Sequence, residues 1–368
     1  MPRNTEFPKN KFLQPEAEAI LNNVLQPDRF RELAGDFNKL REERSEYAMS
    51  QFVEKVLSFA DSLSLSIFGK RFDFPRKRAK VMIISSLKVA LVSPEVATLL
   101  DANKLSVLFQ KTKKYSSRLS RRLSRRRLSK KAIKLMESKQ TALWVLTNIR
   151  KEWYEGITGP NPKVKEKVDS LYALTKEVFS SPSNIERMDV LYGSELYTRI
   201  LSIAQGHQKI LRAYSLLERK RKQINSTYVQ ELSRSYAELY DSSEILVKIL
   251  FSYVLINDGK EPDLRTIQHQ SASSCIDLVN KRLPGIFEGR ALIRNAYAHP
   301  HNTTFNNIER TIALNDKSES AVLTFDEYVE ETRRMADTFT GLLSITSLQL
   351  IYLLDLIIIR LKNEMAST

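Results

Sequence analysis

Residues 291–300 read Ala-Leu-Ile-Arg-Asn-Ala-Tyr-Ala-His-Pro, so an apolar run is followed at once by arginine, asparagine and histidine. Arginine binds phosphate through a fork of N–H donors, and histidine transfers protons near neutral pH. Asparagine can orient a neighbour or hold a ribose hydroxyl. Because proline disfavours helical backbone in the residue before it, we expect the helix to end at or just past His299. The stretch predicts a site that binds or cleaves a phosphodiester, with candidate catalytic residues Arg294, Asn295 and His299.

The order of these residues resembles the Arg-x4–6-His signature of HEPN domains, in which a polar residue, commonly asparagine, follows the arginine. HEPN domains are compact helical bundles found in many ribonucleases of toxin–antitoxin, phage-defence and CRISPR-associated systems. In that family an apolar helix carries the motif to a loop, just before a last long helix, and the same pattern is present here. The resemblance covers roughly residues 205–366. It implies a toxin or abortive-infection endoribonuclease.

The resemblance also implies how such a site would work. A metal-free ribonuclease needs a base for the ribose 2′-hydroxyl, an acid for the leaving 5′-oxygen, and positive charge on the transition state. One motif supplies one histidine, whereas HEPN ribonucleases generally build a composite site across a homodimer, which supplies two. We expect Arg290 and Arg294 to share a helix face. The expected partners are RNA, a second copy joined through the C-terminal half, and an antitoxin or sensor protein.

Each candidate residue also has a structural interpretation. Arg294 could be the partner in a structural ion pair, Asn295 could cap a helix, and His299 could be a loop histidine without a role. The alternative function is therefore a non-catalytic, basic helical protein that binds RNA or DNA, or an inactive HEPN scaffold. Four scattered histidines and a single cysteine, Cys275, give no metal-ligand spacing, so we expect no cofactor and no metal.

A second informative segment is the basic run of residues 111–134, which holds twelve lysines and arginines and no acidic residue. Its leucines, at positions 119, 123, 128 and 135, lie near one face if the segment is helical. The run predicts a basic helix that contacts nucleic-acid phosphates, although a solvated linker, a nuclear-localisation signal and a membrane-surface helix remain open. The candidate nucleic-acid-binding residues are Arg118, Arg121, Arg122, Arg125, Arg126, Arg127, Lys130 and Lys131.

Composition indicates the broad class of protein. The formal net charge is +15 and the pI about 9.6, which favours polyanionic partners. A single cysteine and a polar N-terminus without an apolar signal core indicate a cytoplasmic protein. Residues 342–359 are apolar but contain Gln349 and Asp355, so we interpret them as a buried helix and expect no membrane contact.

Ten glycines in 368 residues favour helices throughout, so we predict an all-α protein with a small β-hairpin insert. We divide it into a basic helical region (1–135), a connecting region (136–204) and a HEPN-like domain (205–368). Helices are expected at 15–65 (two), 81–92, 139–155, 164–180, 185–205, 208–257 (with a break near Asn225), 263–282, 286–298 and 325–362. The hairpin is expected within 308–325, and Thr324 with Glu327 predicts a capping box at the start of the last helix. The clearest loop is expected at 156–162.

Overall fold

The computed structural model describes residues 46–68, 102–125, 129–199, 206–218, 225–299, 302–316 and 319–366, and single positions among 35–43 and at 83 and 203. Within these residues there are thirteen α-helices and one three-stranded sheet, which confirms the prediction of an all-α fold with a small β insert. The helices are α1 (Glu46–Phe68), α2 (Ala102–Leu123), α3 (Lys130–Thr158), α4 (Pro162–Ser180), α5 (Pro182–Tyr192), α6 (Glu195–Thr198), α7 (Gly206–Leu217), α8 (Ser226–Asn257), α9 (Leu264–His269), α10 (Ala272–Arg282), α11 (Ala291–Ala298), α12 (Phe325–Leu343) and α13 (Leu348–Ala366). The strands are β1 (Thr303–Asn306), β2 (Thr311–Asn315) and β3 (Ser320–Thr324).

The described residues form two compact units. One unit comprises those before residue 88, those of 95–153 and those from 353 onward; the other comprises 154–352. The second unit holds the Arg294 motif, and it includes α4, α5 and α6, which the sequence assigned to a connecting region.

Helix α8 lies at the centre of the second unit and contacts α4, α7, α10, α11 and α12. In its first half the buried residues recur at helix spacing, and from Leu246 to Val254 every residue is buried, so this part of the helix is enclosed on all sides. The predicted break near Asn225 is confirmed, because the Asn225 side chain caps α8 by accepting a hydrogen bond from the Tyr228 amide at 2.9 Å. Because other helices pack against α8 on several sides, α8 is a rigid support for the residues of α11.

Several helices end at different residues from those predicted. The segment 263–282 forms two helices, because Ser271 caps α10 by accepting from the Ser274 amide. The loop expected at 156–162 is shorter: α3 continues to Thr158, Gly159 ends it with a φ of 57°, and α4 begins at Pro162. The segment 185–205 is interrupted at residues 193–194, and the last helix is interrupted by a 3-10 turn at Ser344–Thr346.

The sheet is an antiparallel meander in the order β1-β2-β3, one strand more than the predicted hairpin. Ile312 pairs with Phe305 on one side and with Leu323 on the other, and Ile312, Leu314 and Leu323 are buried. β2 contacts α11, and β3 leads directly into α12. The predicted capping box is confirmed: the Glu327 amide donates to Thr324 Oγ1 at 3.3 Å, and the Thr324 amide donates to the Glu327 carboxylate at 2.7 Å.

The first unit contains α1, α2 and most of α3. Leu119 and Leu123 of α2 are buried, and Tyr115 of the same helix stacks on Trp144 of α3 with ring centroids 5.0 Å apart. Ala142 of α3 packs with Leu361 in a small apolar cluster. The helices expected before residue 46 and at 81–92 lie outside the described residues, apart from isolated positions.

Of the helices in the described part of the chain, none taken singly has the length and apolarity to cross a membrane. The bent pair Phe325–Leu343 and Leu348–Asn363 does reach that length and composition. The carboxylate within the second helix of the pair, Asp355, forms two hydrogen bonds with the Arg150 guanidinium at 3.0 and 3.2 Å.

Candidate functional site

The start of α11 is fixed by the hydroxyl group of Tyr236. This hydroxyl accepts a hydrogen bond from the Arg290 amide at 2.5 Å and donates to the Arg290 carbonyl at 3.2 Å. Burial raises the pKa of Tyr236, so the hydroxyl keeps its proton. Next to it, a Cβ on Gly289 would lie only 2.7 Å from Met335 Sδ, so only glycine fits without a shift. These contacts with α8 and α12 determine where α11 begins.

The expectation that Arg290 and Arg294 share a helix face is wrong. Arg290 is the N-cap of α11, with an extended backbone, and its guanidinium forms an ion pair with Glu331 of α12 at 3.3 Å. Helix α11 therefore begins at Ala291 and not at 286, because Tyr236 holds both backbone groups of Arg290 outside the helix.

The segment before α11 is held by two further side chains. The Asn280 side chain accepts from the Phe287 amide at 3.1 Å and donates to the Phe287 carbonyl at 2.9 Å. Lys167, which is 6% exposed, donates to Glu288 at 2.7 Å and to the carbonyl of Gly285. A charged lysine is rarely buried without a partner, so this pair is an anchor for the loop.

Arg294 lies on α11 opposite Asp241 of α8. Its Nε donates to the Asp241 carboxylate at 2.8 Å, and its Nη1 donates to Asn295 Oδ1 at 3.3 Å. The hydrogen bond from Arg294 to Asp241 raises the pKa of Arg294, so the guanidinium stays charged. The side chains of Arg294 and Asp241 are 40% and 54% exposed. An ion pair that exposed contributes roughly 0–1 kcal/mol, so another anion can replace the carboxylate.

Asn295 links the motif to the sheet. Its side-chain amide donates to the Asp316 carboxylate at 2.8 Å, while its Oδ1 accepts from Arg294. Asp316 follows β2, and its backbone pairs with Glu319 across the turn before β3 at 2.8 and 3.3 Å. The alternative in which Asn295 caps the helix does not apply, because the C-cap position is occupied by His299.

His299 is the C-cap residue of α11, with φ −121° and ψ 99°, so the prediction that the helix ends there is confirmed. Its amide donates to the Ala296 carbonyl at 3.3 Å, and its carbonyl accepts from the Asn302 amide at 2.8 Å. The His299 side chain is exposed. His301 lies outside the described residues, and Tyr297, on the last turn of the same helix, is 38% exposed.

The structure therefore brings together two of the three residues of the motif. Arg294 and Asn295 touch, and His299 lies in the exposed turn that ends the same helix. Carboxylates surround the arginine: Asp241 is bonded to it, Asp316 is bonded to its neighbour, and Glu244 acts electrostatically on it. Across the part of the chain that the structure describes, no cluster of three or more histidine, cysteine, aspartate or glutamate side chains could hold a metal ion.

The second candidate surface is the basic helix α2. Its exposed cations recur every three or four residues from Lys111 to Arg122, which spans about 17 Å along the helix. They are Lys111, Lys114, Arg118, Arg121 and Arg122, and the exposed Arg125 follows just after the helix end. The opposite face packs through Leu119 and Leu123, as the leucine spacing predicted. The run is not one helix, however, because α2 ends at Leu123 and α3 begins at Lys130.

Part of the predicted basic surface lies outside the described residues. Arg126 and Arg127 are not among them, and neither are the side chains of Lys130 and Lys131. The described cations nevertheless form one stripe, because a residue every three or four positions returns to the same face of a helix. An acid of α3, Glu137, accepts a hydrogen bond from Ser116 Oγ of this helix at 2.7 Å.

Sequence reasoning missed four residues that position the motif: Tyr236, Asp241, Lys167 and Asn280. All four lie on helices, and three of them are more than fifty positions away from the residue they contact in the motif region. No local pattern identifies them. The one available signal was a lysine or tyrosine at a position where the helix spacing requires a buried residue.

A comparison with protein-family models, with curated proteins and with solved structures found no match to this chain.

Proposed function

We propose that the protein is a metal-independent endoribonuclease of the HEPN type, acting in the cytoplasm as a toxin or an abortive-infection effector. The observation that carries the proposal is the contact between Arg294 and Asn295, with an exposed His299 at the end of the same short helix. The three side chains supply a phosphate ligand, an orienting amide and a proton carrier. No cofactor enters the proposed reaction.

The proposed reaction is a displacement at phosphorus. The ribose 2′-oxygen attacks the adjacent phosphorus, and the bond from phosphorus to the 5′-oxygen breaks. One His299 accepts the proton of the 2′-hydroxyl, and a second protonates the leaving 5′-oxygen. Arg294 stabilises the charge that develops on the phosphoryl oxygens. The products are a 2′,3′-cyclic phosphate and a free 5′-hydroxyl. Because a single chain carries one such motif, the second histidine comes from a second copy of the chain.

Asp241 must give up its hydrogen bond for this reaction. The phosphodiester carries two non-bridging oxygens and can bind the arginine fork in a bidentate manner, which a single oxygen on Nε does not match. Because the side chains of both Arg294 and Asp241 are exposed, replacing the Asp241 carboxylate by a phosphate costs little free energy. In the free protein, Asp241 then keeps the guanidinium oriented without blocking the site.

The basic stripe on α2 supports RNA as the substrate. Five exposed cations on one face of α2, with Arg125 just after its end, attract a polyanion without regard to its sequence. In this proposal, α2 holds the RNA and the Arg294 motif cuts it. An antitoxin or sensor protein remains part of the proposal as a partner, because an active ribonuclease requires control in the cell.

A second candidate function is RNA or DNA binding without cleavage. The hydrogen bonds that tie Arg294 to Asp241 and Asn295 to Asp316 favour it, since both polar side chains have partners inside the protein. The basic stripe would then be the functional surface, and the motif would only connect α8, α11 and the sheet. This candidate predicts binding and no products.

Incubation of the purified protein with single-stranded RNA, with and without EDTA, separates the two functions. We expect fragments in both samples, with cyclic phosphate and 5′-hydroxyl ends, and no cleavage of DNA of the same sequence because it lacks the 2′-hydroxyl.

His299→Ala should reduce the rate by about a hundred- to ten-thousand-fold at an unchanged melting temperature. The matched control is His269→Ala, an exposed histidine at the end of α9. A need for a divalent ion, products with 5′-phosphates, or full activity in His299→Ala would refute the mechanism.

A further inference from the structure

Two five-residue repeats occupy the centre of the basic run. They read Arg-Arg-Leu-Ser-Arg at residues 121–125 and Arg-Arg-Leu-Ser-Lys at residues 126–130. Ser124 and Ser129 are the only serines or threonines in the whole chain with arginine at both the second and the third position before them. The function proposed above uses the positive charges of these repeats, but it gives the serines no role.

The structure places both serines where α2 gives way to α3. Helix α2 ends at Leu123 and α3 begins at Lys130, and both Ser124 and Ser129 are exposed. Ser124 Oγ donates to the Arg121 carbonyl at 3.0 Å, as expected in the last turn of a helix. The Ser129 carbonyl accepts from the Ile133 amide at 3.0 Å, so Ser129 is the residue immediately before α3.

Protein kinases bind their substrates as extended segments, and many select them by the charge pattern around the acceptor. A serine inside a helix is a poor acceptor, since its backbone is already hydrogen-bonded. Ser124 and Ser129 lie at helix ends, which fray. The Ser124 amide donates to the Ser120 carbonyl at 2.9 Å and the Ser129 carbonyl accepts from the Ile133 amide at 3.0 Å, so opening one terminal turn presents either serine in an extended form. Arg121, Arg122 and Arg125 are exposed and available to an acidic pocket.

We propose that Ser124 and Ser129 are phosphate acceptors for a protein kinase that selects basic substrates. The serine Oγ attacks the γ-phosphorus of a nucleoside triphosphate, and a new oxygen–phosphorus bond forms. The bond to the bridging oxygen breaks, the nucleoside diphosphate leaves, and the hydroxyl proton passes to the base of the kinase. No other reactant is needed.

Presentation of Ser124 requires a local opening. Leu123 is only 3% exposed, so presenting Arg121 to Ser124 in an extended form requires the last turn of α2 to open and this side chain to leave the core.

The modification acts as a charge switch on the basic stripe, a consequence that rests on the nucleic-acid binding proposed for α2. Each phosphate carries nearly two negative charges at neutral pH and accepts hydrogen bonds from arginines. On Ser124 it lies next to Arg121 and Arg125 and withdraws them from an RNA backbone. On Ser129 it precedes the first turn of α3, where a negative charge also stabilises the helix. Binding is lost while the helices are kept.

The test starts with the full-length protein, a purified basophilic serine kinase and labelled ATP. Phosphopeptide mass spectrometry should place phosphate on Ser124 and on Ser129. Ser273 is the internal control, since it is exposed on α10 and has no arginine in the three preceding positions. Ser129→Ala and the pair Arg126→Gln with Arg127→Gln should both abolish labelling at 129. Absence of label on both serines, or label that does not depend on the arginines, overturns the inference.

A binding measurement on the phosphorylated protein separates this inference from the proposed function. RNA affinity is measured against salt concentration in the His299→Ala background, which prevents cleavage. Each phosphate should lower the slope of log K against log salt by about 1–2, because it withdraws one or two cations from the RNA backbone. Arginine-dependent labelling without any change in RNA affinity supports the modification site and refutes RNA binding by α2. An Asp substitution is not an adequate substitute, since it carries one charge instead of nearly two.

Discussion

The guanidinium of Arg294 has two hydrogen-bond partners with opposite consequences. The Asn295 side chain accepts from Arg294 Nη1 and is neutral. The Asp241 carboxylate accepts from Arg294 Nε and is negatively charged, so it occupies the position that a phosphate oxygen would take. Both side chains of the ion pair are well exposed, so water screens their attraction. The arginine is therefore kept charged and oriented, but it is not locked.

Replacing Asp241 with asparagine should strengthen RNA binding. Asparagine keeps an oxygen for the Arg294 Nε but removes the charge that competes with phosphate. Because the pair contributes roughly 0–1 kcal/mol, affinity should rise by up to about fivefold and the melting temperature should hardly change. Binding is measured by titration in the His299→Ala background. The control is Glu238→Gln, which lies nearly one turn earlier on α8 and pairs with Arg234. Weaker RNA binding by Asp241→Asn would mean that the carboxylate is needed for the site.

The position of α11 depends on side chains from other elements more than on its own sequence. At eight residues it is too short to be stable alone, so its contacts with α8 and with β2 decide where it begins. Tyr236 holds the backbone of Arg290, Asn280 holds that of Phe287, and Lys167 holds Glu288. The loop before the motif is thus tied at three points.

Tyr236→Phe isolates one of these ties. The ring stays buried, but the Arg290 amide and carbonyl lose their common partner. Leaving such groups unsatisfied costs about 1–3 kcal/mol, which urea unfolding measures directly. RNA cleavage should fall further than stability alone explains, because Arg294 and His299 move with the start of the helix. Tyr240→Phe is the control, since it removes a hydroxyl from a neighbouring ring that packs edge-on against Phe287. Equal effects of the two variants would contradict a specific role for Tyr236.

Local sequence signals correctly located the ends of several elements. α8 begins where the break near Asn225 was expected, α12 begins at the expected Thr324–Glu327 box, and α11 ends at His299, the residue before a proline. These predictions succeeded because a helix end is decided by residues that lie close together in the sequence. The prediction of one uninterrupted helix at 263–282 was wrong because it overlooked such a local signal, the N-cap at Ser271.

Contacts between residues far apart in the chain could not be predicted from local sequence signals. Asp241 lies 53 positions from Arg294 and Lys167 lies 121 from Glu288, and nothing in either local sequence names the partner. The third strand was missed because β1 is four residues long and half-exposed, without a clear alternation of apolar residues. The motif residues could be found from sequence, whereas the residues that hold them could not.

On the scale of the whole molecule, positive charge and the candidate cleavage motif lie on different units. The stripe from Lys111 to Arg125 belongs to the first unit, and Arg294 belongs to the second, where it is surrounded by carboxylates. A site that is locally acidic needs another surface to attract RNA. In the proposed function, the stripe supplies that attraction without sequence preference.

Neutralising the stripe tests this division of labour. Replacing Arg118, Arg121, Arg122 and Arg125 with glutamine should weaken RNA and DNA binding about equally for all sequences. The slope of log K against log salt should fall by about 0.7–0.9 for each nucleic-acid phosphate that the protein no longer neutralises. The four replaced side chains are exposed, so the helix content measured by circular dichroism should be unaltered. The control replaces four exposed cations of the second unit, Lys165, Lys176, Lys260 and Arg265, which lie outside the stripe. An unchanged salt slope would show that the stripe is only a solvated face.

The remaining question at this scale is how many chains build one active site. The proposed chemistry needs two proton carriers, and each chain supplies one His299. Some apolar surface is left exposed on the described helices: Leu278 on α10 is 39% exposed, and Ile359 on α13 is 53% exposed. Both belong to segments expected to form dimer contacts. If two chains share one site, a chain with a defective histidine disables its partner.

Mixed dimers show this sharing directly. Wild-type and His299→Ala chains are denatured together, refolded in known ratios and assayed for RNA cleavage at a fixed total concentration. With a composite site, an equal mixture should retain about a quarter of the wild-type activity, because only dimers of two intact chains cleave. Mixtures with His269→Ala should keep full activity, since that histidine lies outside the motif. A strictly linear fall with the wild-type fraction, or a monomer that remains active on dilution, would contradict the shared site. It would also require both proton carriers to come from one chain, where His301 is the histidine nearest to His299 in sequence.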